Sequence, residues 1–148
     1  DAPDYVLQRI NHAIFQNVEM LQANINAVTT HIRKKLEEKG EKYDVVILDP
    51  PAFTKSRSSV KNAVKGYREI NLRGLKLVKD GGFLATCSCS HFMEYELFTK
   101  TIGQAARSAH KRLRQVEYRT QAPDHPILWA SDESYYLKFY IFQVCDEK

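Results

Sequence analysis

Cysteine is scarce in this 148-residue chain: only Cys87, Cys89 and Cys145 are present. An odd count containing a Cys-x-Cys pair gives no disulfide framework, and neighbours at that spacing bridge only with strained geometry. No second Cys or His pair stands at metal-ligand spacing, so no zinc or other metal is expected. Reduced thiols fit a cytoplasmic setting. Long hydrophobic runs are missing as well. The longest aliphatic stretch is Val45-Val46-Ile47-Leu48, far short of the roughly 20 residues that a membrane helix needs. The N-terminal Asp1-Ala2-Pro3-Asp4 is acidic and lacks the basic-then-apolar order of a signal peptide. Charge of one sign does not dominate: 22 basic and 18 acidic residues leave a net charge of +4. That balance permits an anionic partner without demanding one. There is no internal repeat and no low-complexity tract.

What is present reads as one soluble α/β domain. Val6, Ile10, Ala13 and Ile14 recur at helical spacing over residues 4–16, and Ile25, Val28, Ile32 and Leu36 do so over 25–38. Between them, residues 18–23 are compatible with a short strand or with one continuous helix. Tyr43 to Leu48 is a β-branched run closed by Asp49-Pro50-Pro51. Its lack of alternation predicts a strand buried on both faces of a parallel sheet. A helix is predicted over 67–78, a turn at Asp80-Gly81-Gly82, and a second buried strand over 83–86. Residues 91–109 carry Phe92, Tyr95, Phe98, Ile102, Ala105, Ala106 and Ala109 on one helical face. Strands near 113–119 and 135–145 close the chain, with the turn-rich Ala122-Pro123-Asp124-His125-Pro126 between them. Strand-helix alternation of this kind predicts an α/β sheet.

In such sheets ligands bind beyond the carboxyl ends of the strands. Two of those ends stand out. Asp49-Pro50-Pro51 makes a rigid ledge, because each proline fixes its own φ and restricts the residue before it. The carbonyls there are free to accept from an exocyclic amine or a cationic ligand, and Phe53 could stack on a flat base. A plain strand-ending turn with a capping Asp explains the triplet equally well. Cys87 and Cys89 follow the second strand. A free cysteine there is by default a small packed hydrophobe. The chemical alternative is a thiolate nucleophile near the N-terminus of helix 91–109, whose positive end would lower the thiol pKa. Cys89, farther from the strand and flanked by Ser88 and Ser90, is favoured over Cys87. Lys55, Arg57, Lys61, Lys65 and Arg68 form a basic loop with no acid until Glu69. It suits a phosphate backbone or is simply a solvated face. A second basic cluster is Arg107, Lys111, Arg112 and Arg114. His125 serves as a general base or as a turn histidine.

Taken in order, Asp-Pro-Pro-Ala-Phe at 49–53, Gly66-Tyr67, Ile70-Asn71, Gly81-Gly82, Ser88-Cys89-Ser90, Gln121 to Pro126 and Tyr136-Leu137-Lys138 resemble the C-terminal part of the ribosomal RNA large subunit methyltransferase I family. The resemblance covers residues 43–145 well and 1–42 weakly. It implies a Rossmann-like class I methyltransferase sheet, S-adenosylmethionine as cofactor, and methylation of cytosine C5 in large-subunit ribosomal RNA. It also implies a nucleophilic cysteine that adds to C6 of a flipped cytosine. Related enzymes place that cysteine seven residues after the second Gly of the preceding turn, which counts from Gly82 to Cys89. Cys87 is the second choice. Asp49 and Pro50 would lie at the methionine end of the cofactor. Asp1 would match the ribose-binding acid and Asn24 the segment beside the adenine. Pro51, Phe53, Lys55, Arg57 and His125 would meet the RNA. The base that removes the C5 proton is unassigned, with His125 and Asp124 as candidates.

The departure lies at the N-terminus. A class I methyltransferase carries a Gly-rich loop after its first strand, and none of the six glycines here forms it. The RNA-binding PUA domain of the family is absent too. The expectation is therefore a C-terminal fragment: residues 1–42 as a helical remnant of the cofactor-binding half, and 43–148 as the other half, lacking the first strands. Such a fragment would bind cofactor poorly. The strand at 43–48 would have an open edge inviting a second copy of the chain, and residues 1–40 would rearrange. Two competing functions remain: a guanine N-methyltransferase on the same scaffold, for which Asp-Pro-Pro suffices without a thiol, and a non-catalytic RNA-binding module.

Overall fold

The computed structural model describes residues 40–54, 56–131 and 134–147. The proposed strand or helix at 18–23, and the positions of Asp1, Asn24 and Lys55, lie outside the described residues. From Lys42 onward the chain forms one compact unit. Among the described residues, no helix is long and apolar enough to cross a membrane.

Four strands and two helices make up this unit: β1 (Tyr43–Leu48), α1 (Val60–Leu77), β2 (Val78–Ser88), α2 (Tyr95–Ser108), β3 (Lys111–Arg119) and β4 (Lys138–Asp146). A short 3-10 turn at Arg57–Ser59 leads into α1. The sheet order is β1-β2-β4-β3. β1 and β2 are parallel, with Leu48 opposite Thr86. β4 runs antiparallel to both β2 and β3. Consequently β1, β2 and β3 all end on the side where β4 begins, and the loop from β3 to β4 projects from that same side.

Sequence accounts for the helices. Ala63, Tyr67, Asn71, Gly74 and Leu75 of α1 form one buried stripe, and Phe98, Thr101, Ile102, Ala105 and Ala106 do the same on α2. Both stripes cover one sheet face. Leu75, Val78, Leu84, Ala105, Ala106 and Val144 make one core cluster, flanked by Val46 and Leu48. Tyr67, Met93, Phe98, Ile102, Tyr140 and Phe142 make the second.

Three expectations need correction. α1 begins at Val60, not at 67, so Lys61, Lys65 and Arg68 are helical and not part of a loop. The valine at its start and the preceding serines masked a helix whose apolar stripe is sparse. Secondly, β1 is not buried on both faces. It stands at the edge of the described sheet, with Val45 56% and Ile47 67% exposed. Its unalternating sequence reads as two-sided burial, yet the described helices cover only the face of Val46 and Leu48. Thirdly, Asp80-Gly81-Gly82 does not separate helix from strand but lies inside β2 as an irregularity. Gly81 takes φ +81° there, a conformation cheap only for glycine. Gly82 is needed for space: a Cβ on it would stand 2.8 Å from the Asp44 carbonyl oxygen. Backbone cannot swing aside as a side-chain tip can, so Gly82→Ala is expected to destabilise the fold by about 1–3 kcal/mol. Urea unfolding checks this; a midpoint unchanged from wild type would refute the close approach.

Candidate functional site

The parallel pairing of β1 and β2 sets Asp49 and Cys87 side by side. The Cys87 thiol donates to Asp49 Oδ1 at 3.0 Å and approaches the Leu48 carbonyl oxygen at 3.6 Å. Cys87 is 6% exposed, whereas Cys89, just past the strand, is half-buried. Asp49 and Pro51 are exposed, and Pro50 is buried as the base of the ledge. Phe53 packs inward, its ring 4.6 Å from that of Tyr67 and against Gly66.

Behind the Cys89 segment lies a polar knot that sequence reasoning overlooked. Tyr67 is fully buried. Its hydroxyl accepts from Ser88 Oγ at 2.9 Å and sits 3.0 Å from Ser90 Oγ. The Ser90 amide donates to Ser88 Oγ at 3.3 Å. Lys138, also buried, donates from Nζ to the Ser90 carbonyl at 2.7 Å. The available signal was a lysine directly ahead of the apolar stretch Phe139 to Phe142, since a charge entering a buried strand demands a partner.

Electrostatics divide the two thiols. Burial pushes the Cys87 thiol far above its ordinary range, and its bond to Asp49 adds to this. Cys89 is also raised, by burial first and by the Asp49 charge, while Lys138 pulls it down. The expected lowering by a helix N-terminus therefore does not occur. α2 starts only at Tyr95, after a separate turn in which the Met93 amide donates to the Ser90 carbonyl at 3.1 Å.

Arg57, Lys61, Lys65 and Arg68 are exposed. Set along the 3-10 turn and the first half of α1, the last three recur at helical spacing and line one side of the helix. The β3–β4 loop carries His125 on an exposed turn, 3.8 Å from the Asp124 carboxylate and edge-on to Tyr136. The loop projects from the same end of the sheet as Asp49 and Cys89, but no bond joins His125 to either among the described residues.

This architecture matches that of known methyltransferases. A SAM-dependent methyltransferase from Streptococcus mutans superposes with a TM-score of 0.64 at 20% identity, over 78% of this chain and 29% of that one. A methyltransferase complexed with SAH gives the same TM-score at 21% identity, over 77% of this chain and 29% of that one. The fold is accordingly the Rossmann-like fold of class I SAM methyltransferases. No protein-family profile matches the chain. Two curated relatives are ribosomal RNA large subunit methyltransferase I of Alteromonas mediterranea, 40% identical over 77% of this chain, and that of Aeromonas salmonicida, 44% identical over 71%. Over that span the chain is a homologue of the ribosomal RNA large subunit methyltransferase I family. It spans 29% and 26% of the length of those two relatives.

The thiol environments make a direct prediction for alkylation by iodoacetamide at pH 8. Half-buried Cys145 reacts first, Cys89 more slowly, and Cys87 last. Because the folded state keeps the Cys87 proton where the unfolded chain releases it, near pH 9, its contribution to stability is full below that pH. It is lost as pH rises further. Peptide mass spectrometry against time reads the order, and Cys87 labelling first would refute the assigned environments.

Proposed function

We propose that this chain supplies the target-base half of a SAM-dependent methyltransferase acting on large-subunit ribosomal RNA, with cytosine C5 as acceptor and Cys89 as nucleophile. The observation that carries the reading is the contact between Asp49 and Cys87. It brings a carboxylate, a proline ledge and the half-buried Cys89 segment to one end of the sheet.

Chemically, cytosine C5 is a poor nucleophile until something adds to C6. The Cys89 thiolate forms a bond to C6 of the extruded base, and the ring electrons gather at C5, which then takes the methyl group. Loss of the C5 proton to a base and expulsion of the thiolate restore the aromatic ring. The cofactor supplies the electrophilic methyl group. Asp49, an exposed carboxylate with only acceptors, fits its cationic methionine end, and Pro50 sets the height of the ledge. Pro51 borders the base, whereas Phe53, packed on Tyr67, supports the ledge from within; Arg57 and Lys61 at the near end of α1 suit the RNA phosphates, and His125 lies on the loop at the same end of the sheet.

Assayed in the protein that carries this chain, tritiated methyl transfer to ribosomal RNA is expected to fall at least about a thousandfold in Cys89→Ala. Undiminished transfer would defeat the cytosine reading. A guanine amine is the second reading, favoured by the raised Cys89 thiol; mass spectrometry of the modified nucleoside separates the two. The reading also assigns a second copy of the chain to the edge of β1, where Val45 and Ile47 are exposed. Light scattering should show a concentration-dependent dimer that Ile47→Lys dissociates, and a monomer at all concentrations would refute it.

A further inference from the structure

Lys138 is the first residue of β4 and is 1% exposed. An ammonium in that position carries three donors, and among the described residues it meets one hydrogen-bond acceptor, the Ser90 carbonyl at 2.7 Å. Carbonyl oxygens do not neutralise charge, so a buried ammonium this sparsely bonded favours any anion that forms nearby. Register explains how it arrives there: Lys138 pairs with Ser88, the residue before Cys89. The two serines flanking Cys89 are thus clamped from two sides. Tyr67 holds both hydroxyls, and Lys138 holds the carbonyl of the second.

The charged neighbourhood is small. Asp49 from the end of β1 and Lys138 from β4 act on Cys89 with opposite sign, and Cys89 lies close enough to Tyr67 of α1 and to Cys87 of β2 to act on both. Lys138 in turn feels Cys89 and Glu94. Its affinity for a proton is pushed down to about 8, chiefly by burial, so near neutral pH it is charged but poised to lose that charge.

We propose that Lys138 is a positioning residue for Cys89: its buried ammonium pins the Ser88-Cys89-Ser90 turn through the Ser90 carbonyl and provides the positive charge that sustains the Cys89 thiolate. The inference rests on Cys89 as the nucleophile proposed above, and it deepens that reading by naming what counters Asp49. It requires no RNA or cofactor to test, so its failure is separate from that of the methyl-transfer assay.

The test is the pH dependence of iodoacetamide alkylation at Cys89, in which the thiolate displaces iodide. It is read by peptide mass spectrometry from pH 6.5 to 10.5 in wild type, Lys138→Met and Lys138→Arg, with Cys145 as internal control. Removing the charge is expected to slow Cys89 about tenfold at pH 7, equivalent to a shift of about one unit in the thiol titration. The gap should narrow above pH 8, where wild-type Lys138 itself loses its proton, and the arginine should recover most of the rate. A purely structural pin would offset the two curves equally at every pH, and that result, or an unchanged rate, overturns the proposal. Should the methionine variant fail to fold, the arginine variant serves: its charge is not lost above pH 8, so its Cys89 rate relative to wild type should rise between pH 8 and 10.5, and a ratio flat with pH also overturns the proposal.

Discussion

The lateral bond between two parallel strands governs this molecule. Leu48 stands opposite Thr86, and from that register follows the approach of Cys87 Sγ to Asp49 Oδ1. Side chains alternate along a strand, so a slip of one residue in β2 would turn Leu84, Thr86 and Ser88 away from the helices and bring Cys87 toward them. Gly82 permits the register by letting the chain pass against the Asp44 carbonyl, and Gly81 absorbs the irregularity at the start of β2. The prolines then stop β1 where the carboxylate emerges.

Where β2 ends, not alternation, gives the two sulfurs different surroundings. Cys87 belongs to the strand and is sealed against Asp49; burial first, and then that carboxylate, hold its thiol neutral. Cys89 stands past the last paired residue and keeps an opening to solvent. Holding that segment is expensive. Tyr67, Ser88, Ser90 and Lys138 bring polar groups into the interior, and each is satisfied chiefly by another member of the knot. Nearby in sequence, Thr86 Oγ1 and His91 Nδ1 are buried with no partner among the described residues. Such a group costs about 1–3 kcal/mol when left unpaired. One end of the sheet therefore accumulates polar groups that stability alone would not select, as expected where a site is being built.

Much of the fold could be read from residue order alone. Short apolar runs identified β1 and the stretch of β2 from 83 to 86, and 3.6-residue spacing identified the face of α2, because both are properties of a segment by itself; the two closing strands were placed near their observed positions in the same way. The same holds for the Asp49-Pro50-Pro51 ledge, whose rigidity is covalent. The preference for Cys89 over Cys87 came from its distance past the strand and its flanking serines, which residue order alone displays. The family likeness was also legible, carried by short motifs in sequence order.

Tertiary structure alone decided the rest. The first turns of α1 carry Lys61, Asn62 and Lys65, and only packing of Ala63 and Tyr67 against the second core cluster makes that stretch helical. Val45 and Ile47 look interior by composition, yet whether a strand is covered depends on its neighbours and not on its own residues. The direction of the Cys89 shift reversed for the same reason: it depends on burial, on Asp49 and on Lys138, the latter two separated from it by 40 and 49 positions in sequence. Hydrophobic periodicity is local and survives in a string of letters. Electrostatic environment is a sum over everything nearby in space, and it comes into being only when the chain closes on itself.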